Sequence, residues 1–309
     1  MGVAECFNFC HGCVNFFEPL NEPLLKFKKF LFPIELAASS IRRSPLLISV
    51  NLLCLCESVS ELMRSSISIA PPSLLVLNRG NADKICALRK LAAVRVKHDL
   101  STLRDHYQQP ENIGCGLEFE DYVSPWTKGA NNVDSEIFLL AQDWSSTDAL
   151  KAASEDDLED LRTHGRLRSL PTNKNICWFL QESFDIPFTD CFATNAFVFL
   201  KKGSISARIP ACDLTASITD YTLPQIKIVQ PKLVLCLGAG VFAAIEQILR
   251  RDMYHSKKVH WKDSLDKPLK FGQSIIVALP HPGGRATASL GGKHVVVRTF
   301  WQEPAKKNS

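Results

Sequence analysis

Short apolar runs alternate with longer amphipathic stretches along the chain beyond Glu111. Glu136–Gln142 (EIFLLAQ) is apolar almost throughout, as a strand buried on both faces is. Asp190–Leu200 (DCFATNAFVFL), Leu233–Leu237 (LVLCL) and Ser274–Leu279 (SIIVAL) repeat that texture. Between the first two, Thr172–Phe184 puts Ile176, Phe179, Leu180 and Phe184 on one helical face. Ser145 or Ser146 is placed to cap a helix, and the acidic run Glu155–Asp160 suits a solvated face. Asp220–Val229, ended by Pro231, Val241–Arg250 and Lys293–Trp301 predict further helices. Strands alternating with helices predict an α/β fold: a three-layer α/β/α sandwich around a mainly parallel four-stranded sheet. In such sheets the ligand lies beyond the carboxyl ends of the strands. Those ends carry Gln142-Asp143, Thr194-Asn195, Gly238 and Pro280-His281.

The first hundred residues lack this order. Prolines at 19, 23, 33, 45, 71 and 72 interrupt every long helical candidate, and only Ala82–Val96 predicts a short helix. Residues 1–100 are therefore expected to be an N-terminal extension, and residues 101–309 the domain. The longest apolar stretch, Pro45–Cys56, is broken by Ser49 and Asn51 and is too short to span a bilayer. No basic segment precedes an apolar core at the start, and Cys6 stands where a myristoylation pattern needs Ser or Thr. An intracellular protein, nuclear or cytoplasmic, with no membrane partner is expected, and a monomer.

Five of the 11 cysteines precede Glu57. Most of the others fall singly inside apolar runs, as at Cys177 and Cys236, which fits buried thiols in a reducing compartment. Cys10-His-Gly-Cys13 has C-x-x-C spacing but no second pair at zinc-finger distance, so no metal is expected. The net charge of +4 resides in the first hundred residues, which hold 12 basic and 8 acidic side chains against 24 of each beyond them. A nucleic-acid-binding face on the domain would have to come from local clusters, such as Lys201-Lys202 or Lys257-Lys258 with Lys262, Lys267 and Lys270. Solvated loop lysines are the commoner explanation of such clusters.

Each strand end can be read in two ways. Asp143 closes an apolar strand, where a carboxylate is either a helix cap or a working group. Asn195 offers a donor and an acceptor, which suits a nucleobase edge as well as a loop cap. His281 stands in Pro280-His-Pro-Gly-Gly-Arg285: the prolines fix the direction of the imidazole, and the glycines let backbone approach a ligand. Gly238-Ala-Gly240-Val-Phe-Ala243 fits a dinucleotide fingerprint, but the segment after it, 255–263, does not read as the expected strand. A tight strand-to-helix turn is the commoner role for such glycines.

In order and spacing these motifs resemble the uracil-DNA glycosylase superfamily over about Glu136–Phe300. Ala141-Gln-Asp-Trp-Ser145 resembles the first family motif, Ala193-Thr-Asn-Ala196 the asparagine motif, Leu223-Pro224 through Pro231 to Leu237-Gly238 the helix, proline, strand and Leu-Gly turn, and His281-Pro-Gly-Gly-Arg285 the last motif. The resemblance implies catalytic roles for Asp143, which would position water and stabilise the cationic sugar, and for His281, which would stabilise charge on the departing base. It implies base binding by Gln142, Trp144 and Asn195, and DNA binding by Gly283, Gly284 and Arg285, with Arg285 as the wedge. It further implies DNA as partner and no cofactor; with only Cys115 near the first motif no iron–sulfur cluster is expected, and with no lysine inside a motif hydrolysis without a Schiff base is expected. The chain departs from the family at Ala141, Trp144, Ser145 and Gly283, and has Leu170 where a stacking phenylalanine is expected. Two alternatives remain open: a catalytically inactive nucleobase- or DNA-binding module of the same fold, and a nucleotide-cofactor enzyme using Gly238 and Gly240.

Overall fold

The structure, a computed structural model, describes residues 80–250 and 261–304. The Cys10–Cys13 pair, the 45–56 stretch and Lys257–Lys258 lie outside them. Asn78–Ser309 forms one compact unit. Its helices are α1 (Asn81–Val96), α2 (Trp126–Gly129), α3 (Thr147–Lys151), α4 (Glu155–His164), α5 (Pro171–Phe184), α6 (Ala211–Ser217), α7 (Leu223–Val229), α8 (Ala239–Arg250), α9 (Trp261–Asp266), α10 (Gly284–Ser289) and α11 (Lys293–Val296). Single π-helical turns, Ile218–Thr222 and Val297–Trp301, join α6 to α7 and extend α11. Among the described residues no helix is long and apolar enough to cross a membrane.

The strands are β1 (Tyr107–Gln108), β2 (Ile137–Ala141), β3 (Phe192–Asn195), β4 (Leu200–Lys201), β5 (Leu233–Leu237), β6 (Leu269–Phe271) and β7 (Ser274–Leu279). The main sheet has five strands, not four, in the order β3-β2-β5-β7-β6. The first four run parallel, and β6 adds an antiparallel edge. Only three residues long, β6 turns into β7 through Gly272, whose φ of +61° the turn requires. A run this short carries little periodic signal, which is why the sequence does not announce it. The predicted strand Asp190–Leu200 also divides. After Asn195 only two more backbone bonds reach β2, from Ala196 N–H to Ala141 O and from Phe197 N–H to Gln142 O. Leu200–Lys201 then leaves to pair with Tyr107–Gln108 in a separate two-stranded sheet.

Side-chain alternation divides the core in two. Leu139, Ala141, Ala193, Leu235, Leu237, Val277 and Leu279 pack with Ile176, Phe179 and Leu180 of α5 and with Trp301. Phe138, Leu140, Phe192, Val234, Cys236, Ile276 and Ala278 pack with Ile226 of α7 and Val241, Phe242 and Ile245 of α8. Strands buried on both faces read as unbroken apolar runs, which is why four of them were legible. Helix α1 belongs to this unit. The fully buried Arg95 donates to both carboxylate oxygens of Glu111, at 2.7 and 2.5 Å, and to the carbonyls of Phe119 and Tyr122, both at 2.9 Å. An arginine is tolerated at such depth because its charge is paired and hydrogen-bonded.

Two features of the sheet place the site. The register sets Ala141 opposite Asn195, Leu140 opposite Cys236, and Leu237 opposite Leu279, so four parallel strands end at one level. The chain leaves β2 towards β3 on one side and β5 towards β7 on the other. Adjacent strands with diverging exits open a crevice between their carboxyl ends.

Candidate functional site

Asp143 stands two residues beyond β2, and its carboxylate is not a helix cap. Ser146 caps α3 instead, accepting from Ala149 N–H at 3.4 Å. The partner of Asp143 is Lys201 on β4, whose Nζ lies 2.6 Å from Oδ2. Their side chains are only 17% and 4% exposed, so this is an interior ion pair. Lys201 Nζ also donates to the carbonyls of Ile205 at 2.7 Å and Ala207 at 3.1 Å. Lys201 is therefore not a solvated phosphate contact; of the pair read that way in the sequence, only Lys202 is exposed. Pairing of Leu200–Lys201 with Tyr107–Gln108, more than 90 residues earlier, turns this lysine inward. No local pattern announces so distant a contact.

Asn195 ends β3 and is fully buried. Its Oδ1 accepts a 2.5 Å hydrogen bond from the Ser124 hydroxyl, while its Nδ2 is buried and has no partner among the described residues. Ser124 opens the turn into α2, and Thr127 on that helix donates to Ala193 O at 2.9 Å, which fixes the turn against β3. Sequence reasoning missed Ser124: a serine ahead of Pro125 carries no sign of a partner 71 residues away.

His281 follows β7 and Pro280. Its Nδ1 accepts from the backbone N–H of Gly283 at 3.0 Å. An accepting Nδ1 carries no proton, so in the neutral ring Nε2 bears the hydrogen and is the donor. Asn175 and Thr287 hold the loop from outside: Asn175 Nδ2 donates to Pro282 O at 2.7 Å and Thr287 Oγ1 to Gly283 O at 2.8 Å. His281 is an exposed residue, yet the protein around its ring desolvates the charged form and lowers its pKa below 6.5. The neighbouring Asp143 carboxylate opposes that shift without overcoming it. Protonation would also place a hydrogen on Nδ1, where it meets the Gly283 N–H.

This shift has a sign in stability. As pH falls below 6.5 the unfolded chain gains a proton at His281 before the folded chain does, so the folded state loses ground. Thermal midpoints should be insensitive to this group above that pH and decline below it. His281→Gln should decline less steeply than the parent between about pH 6.5 and 5, because the variant lacks a titrating ring there. Parallel curves for the two proteins would rule this linkage out.

Asn195 shares the sheet face of Ala193, while Asp143 and His281 lie in the loops two residues beyond Ala141 and Leu279. At a strand spacing of about 4.8 Å, the end of β3, at Asn195, and the end of β7, ahead of His281, lie about 14 Å apart, with the end of β2, ahead of Asp143, between them. The remaining predicted residues are less uniform. Gln142 is exposed at the β2/β5 crevice, and its Oε1 lies 3.6 Å from where a Cβ on Gly240 would be. Trp144 is half-buried and committed to the scaffold: its indole N–H donates to Gly165 O at 2.9 Å, and its ring meets Phe119 edge-on. Gly284 and Arg285 begin α10 and are exposed, Gly283 is half-exposed just before them, and Leu170 at the start of α5 is 46% exposed. Gly238, at φ +113°, makes the turn into α8, its N–H bonded to Leu279 O at 2.9 Å.

Two open clefts lie elsewhere. One of about 530 Å³ is lined by Asp156, Asp160, His164, Arg168 and Lys174 along α4, and one of about 280 Å³ by Lys84, Glu136, Gln230 and Lys232 at the amino ends of the strands. Neither is lined by Asp143, Asn195 or His281. No family model matches the chain, and no curated protein matches it.

Proposed function

We propose that this chain is a uracil-DNA-glycosylase-like hydrolase that excises uracil or a related damaged base from DNA. Its fold is then a three-layer α/β/α sandwich with the base bound beyond the parallel strand ends. One observation carries the reading: the amide of Asn195 is fully buried, held by Ser124 through Oδ1, and left with an unpartnered Nδ2. A buried donor without an acceptor is costly, by about 1–3 kcal/mol, unless a ligand supplies one. A base carbonyl meets that need once the residues covering Nδ2 move aside, since the atom is closed to solvent here.

The chemistry follows from the types of residue at the neighbouring ends. Breaking the N-glycosidic bond leaves positive charge on the sugar, and the bonding electron pair leaves with the base. Asp143 opposes the first charge and orients the attacking water; His281, through Nε2–H, donates towards the base oxygen that gains the second. The water gives its oxygen to C1′ and its proton, by way of the Asp143 carboxylate, to the departed base anion, leaving an abasic site and a neutral base. Lys201 does not divert this path to a Schiff base, because its Nζ is committed to the Asp143 carboxylate and to the carbonyls of Ile205 and Ala207. The base reaches such a site only if flipped from the helix, with the exposed Arg285 as the wedge.

The test is base release from oligonucleotides carrying one uracil, single-stranded or opposite A or G. Alkali should then cleave the strand at the uracil position. Intact strands on all three substrates would end the uracil reading. A second reading, a binding module without turnover, is favoured by the ion pair that occupies one oxygen of Asp143. It predicts oligonucleotide binding, no release, and indifference to Asp143→Asn.

A further inference from the structure

Lys201 stands between the candidate carboxylate and a surface loop, and its ammonium contacts both. Its Nζ forms an ion pair with Asp143 Oδ2 at 2.6 Å and donates hydrogen bonds to the carbonyls of Ile205 and Ala207 at 2.7 and 3.1 Å. Among the described residues only Oδ2 of Asp143 has a recorded partner, so the clasp fixes the carboxylate by one oxygen and leaves Oδ1 available. The loop it holds is built to reach outward. It turns at Gly203 with φ +81°, and it carries Lys202, Ser204, Ile205, Ser206 and Arg208 exposed, the isoleucine at 56%. Gly203 is itself anchored back to the site: its N–H donates to Thr147 Oγ1 at 3.1 Å, and its carbonyl accepts from Asp148 N–H at 3.3 Å.

We infer that Lys201 is a positioning residue for base excision, aiming Asp143 through Oδ2 and fixing the carboxylate to the Gly203–Ala207 loop as one unit. This inference rests on the glycosylase reading above. An apolar side chain of the same length would serve if the lysine only filled space. A clasp requires a cation, because what holds the carboxylate here is an ion pair between side chains 4% and 17% exposed. Loss of the clasp lets Asp143 adopt other rotamers and disturbs the geometry of the reacting complex, with little effect on oligonucleotide binding.

The experiment is steady-state base release by the full chain and by Lys201→Met, Lys201→Gln and Lys201→Arg, with circular dichroism to establish folding. We expect kcat of Lys201→Met to fall about 10–100-fold while KM stays within about 3-fold, with partial recovery in Lys201→Arg. Should Lys201→Met not fold, Lys201→Gln, which keeps two donors without the charge, takes its place and should also lose kcat. A folded Met or Gln variant with parental kcat overturns the inference while leaving the glycosylase reading intact. A rise in KM with unchanged kcat also overturns it, since that pattern marks a role in binding. A parent that releases no base overturns the glycosylase reading itself, and the positioning role with it.

Discussion

Asp143→Asn should slow base release by about a thousand-fold, close to 4 kcal/mol of barrier, while the protein stays folded and still binds oligonucleotide. The amide keeps the shape of the carboxylate and an oxygen that can accept from Lys201, but not the negative charge that opposes a cationic sugar. Asp143→Ala separates the two roles. It removes the acceptor as well and strands the ammonium of Lys201, which is 4% exposed, with only the carbonyls of Ile205 and Ala207. Breaking a buried pair from one side costs about 3–5 kcal/mol, and the two remaining carbonyls favour the lower end. For a unit of this size that is a fall in Tm of roughly 6–12 °C. Equal activity in parent and Asn variant would remove Asp143 from the chemistry. Equal melting of the Ala variant and the parent would remove the ion pair from the stability of the fold.

The fate of that residue marks what the sequence could and could not disclose. Ile137–Ala141 is apolar at every position because β2 is covered on both faces, and such a run ends visibly where Gln142 and Asp143 begin. The same logic exposed Asn195 and His281, so three strand ends and the alternation of strand and helix were legible. Their common level was not, because register is set by pairing between segments about 40 to 100 residues apart. The partners of these residues were hidden for the same reason. Lys201 looks like half of a surface lysine pair, and Ser124 looks like a turn residue. Each acquires its role only when β4 meets β1 and when the turn before α2 meets β3. Trp144 has a scaffold contact that its motif did not announce. Its place in a motif suggested base contact, whereas its indole N–H is used on Gly165 O, inside the scaffold.

Gly283→Ala should reduce the rate of base release by about 10–100-fold without weakening the fold. The backbone at Gly283, φ −63° and ψ 148°, is one that alanine adopts freely, so the substitution carries no conformational strain. Loss of glycine entropy in the unfolded chain even favours the variant by about 0.4–1 kcal/mol. The obstacle is the ring. A Cβ at this position would lie 2.9 Å from His281 Nδ1 and 3.1 Å from Cε1, with Thr172 Oγ1 at 3.5 Å behind it. The imidazole must move, and the hydrogen bond from Gly283 N–H to Nδ1, which assigns the proton to Nε2, weakens as it does. Displacement of a reacting group by about 1 Å is enough for a hundred-fold loss. The His-Pro-Gly sequence is then explained from within: this loop has packed its histidine against the space a side chain would need. Nitrogen-15 NMR of the imidazole provides a check independent of turnover, since the accepting Nδ1 and the protonated Nε2 have distinct shifts. An alanine variant with parental kcat and unchanged ring shifts would mean that the loop absorbs the methyl group elsewhere. Thermal midpoints equal to or above the parent's, combined with a slowed rate and altered ring shifts, would place the effect at His281 and not in the fold.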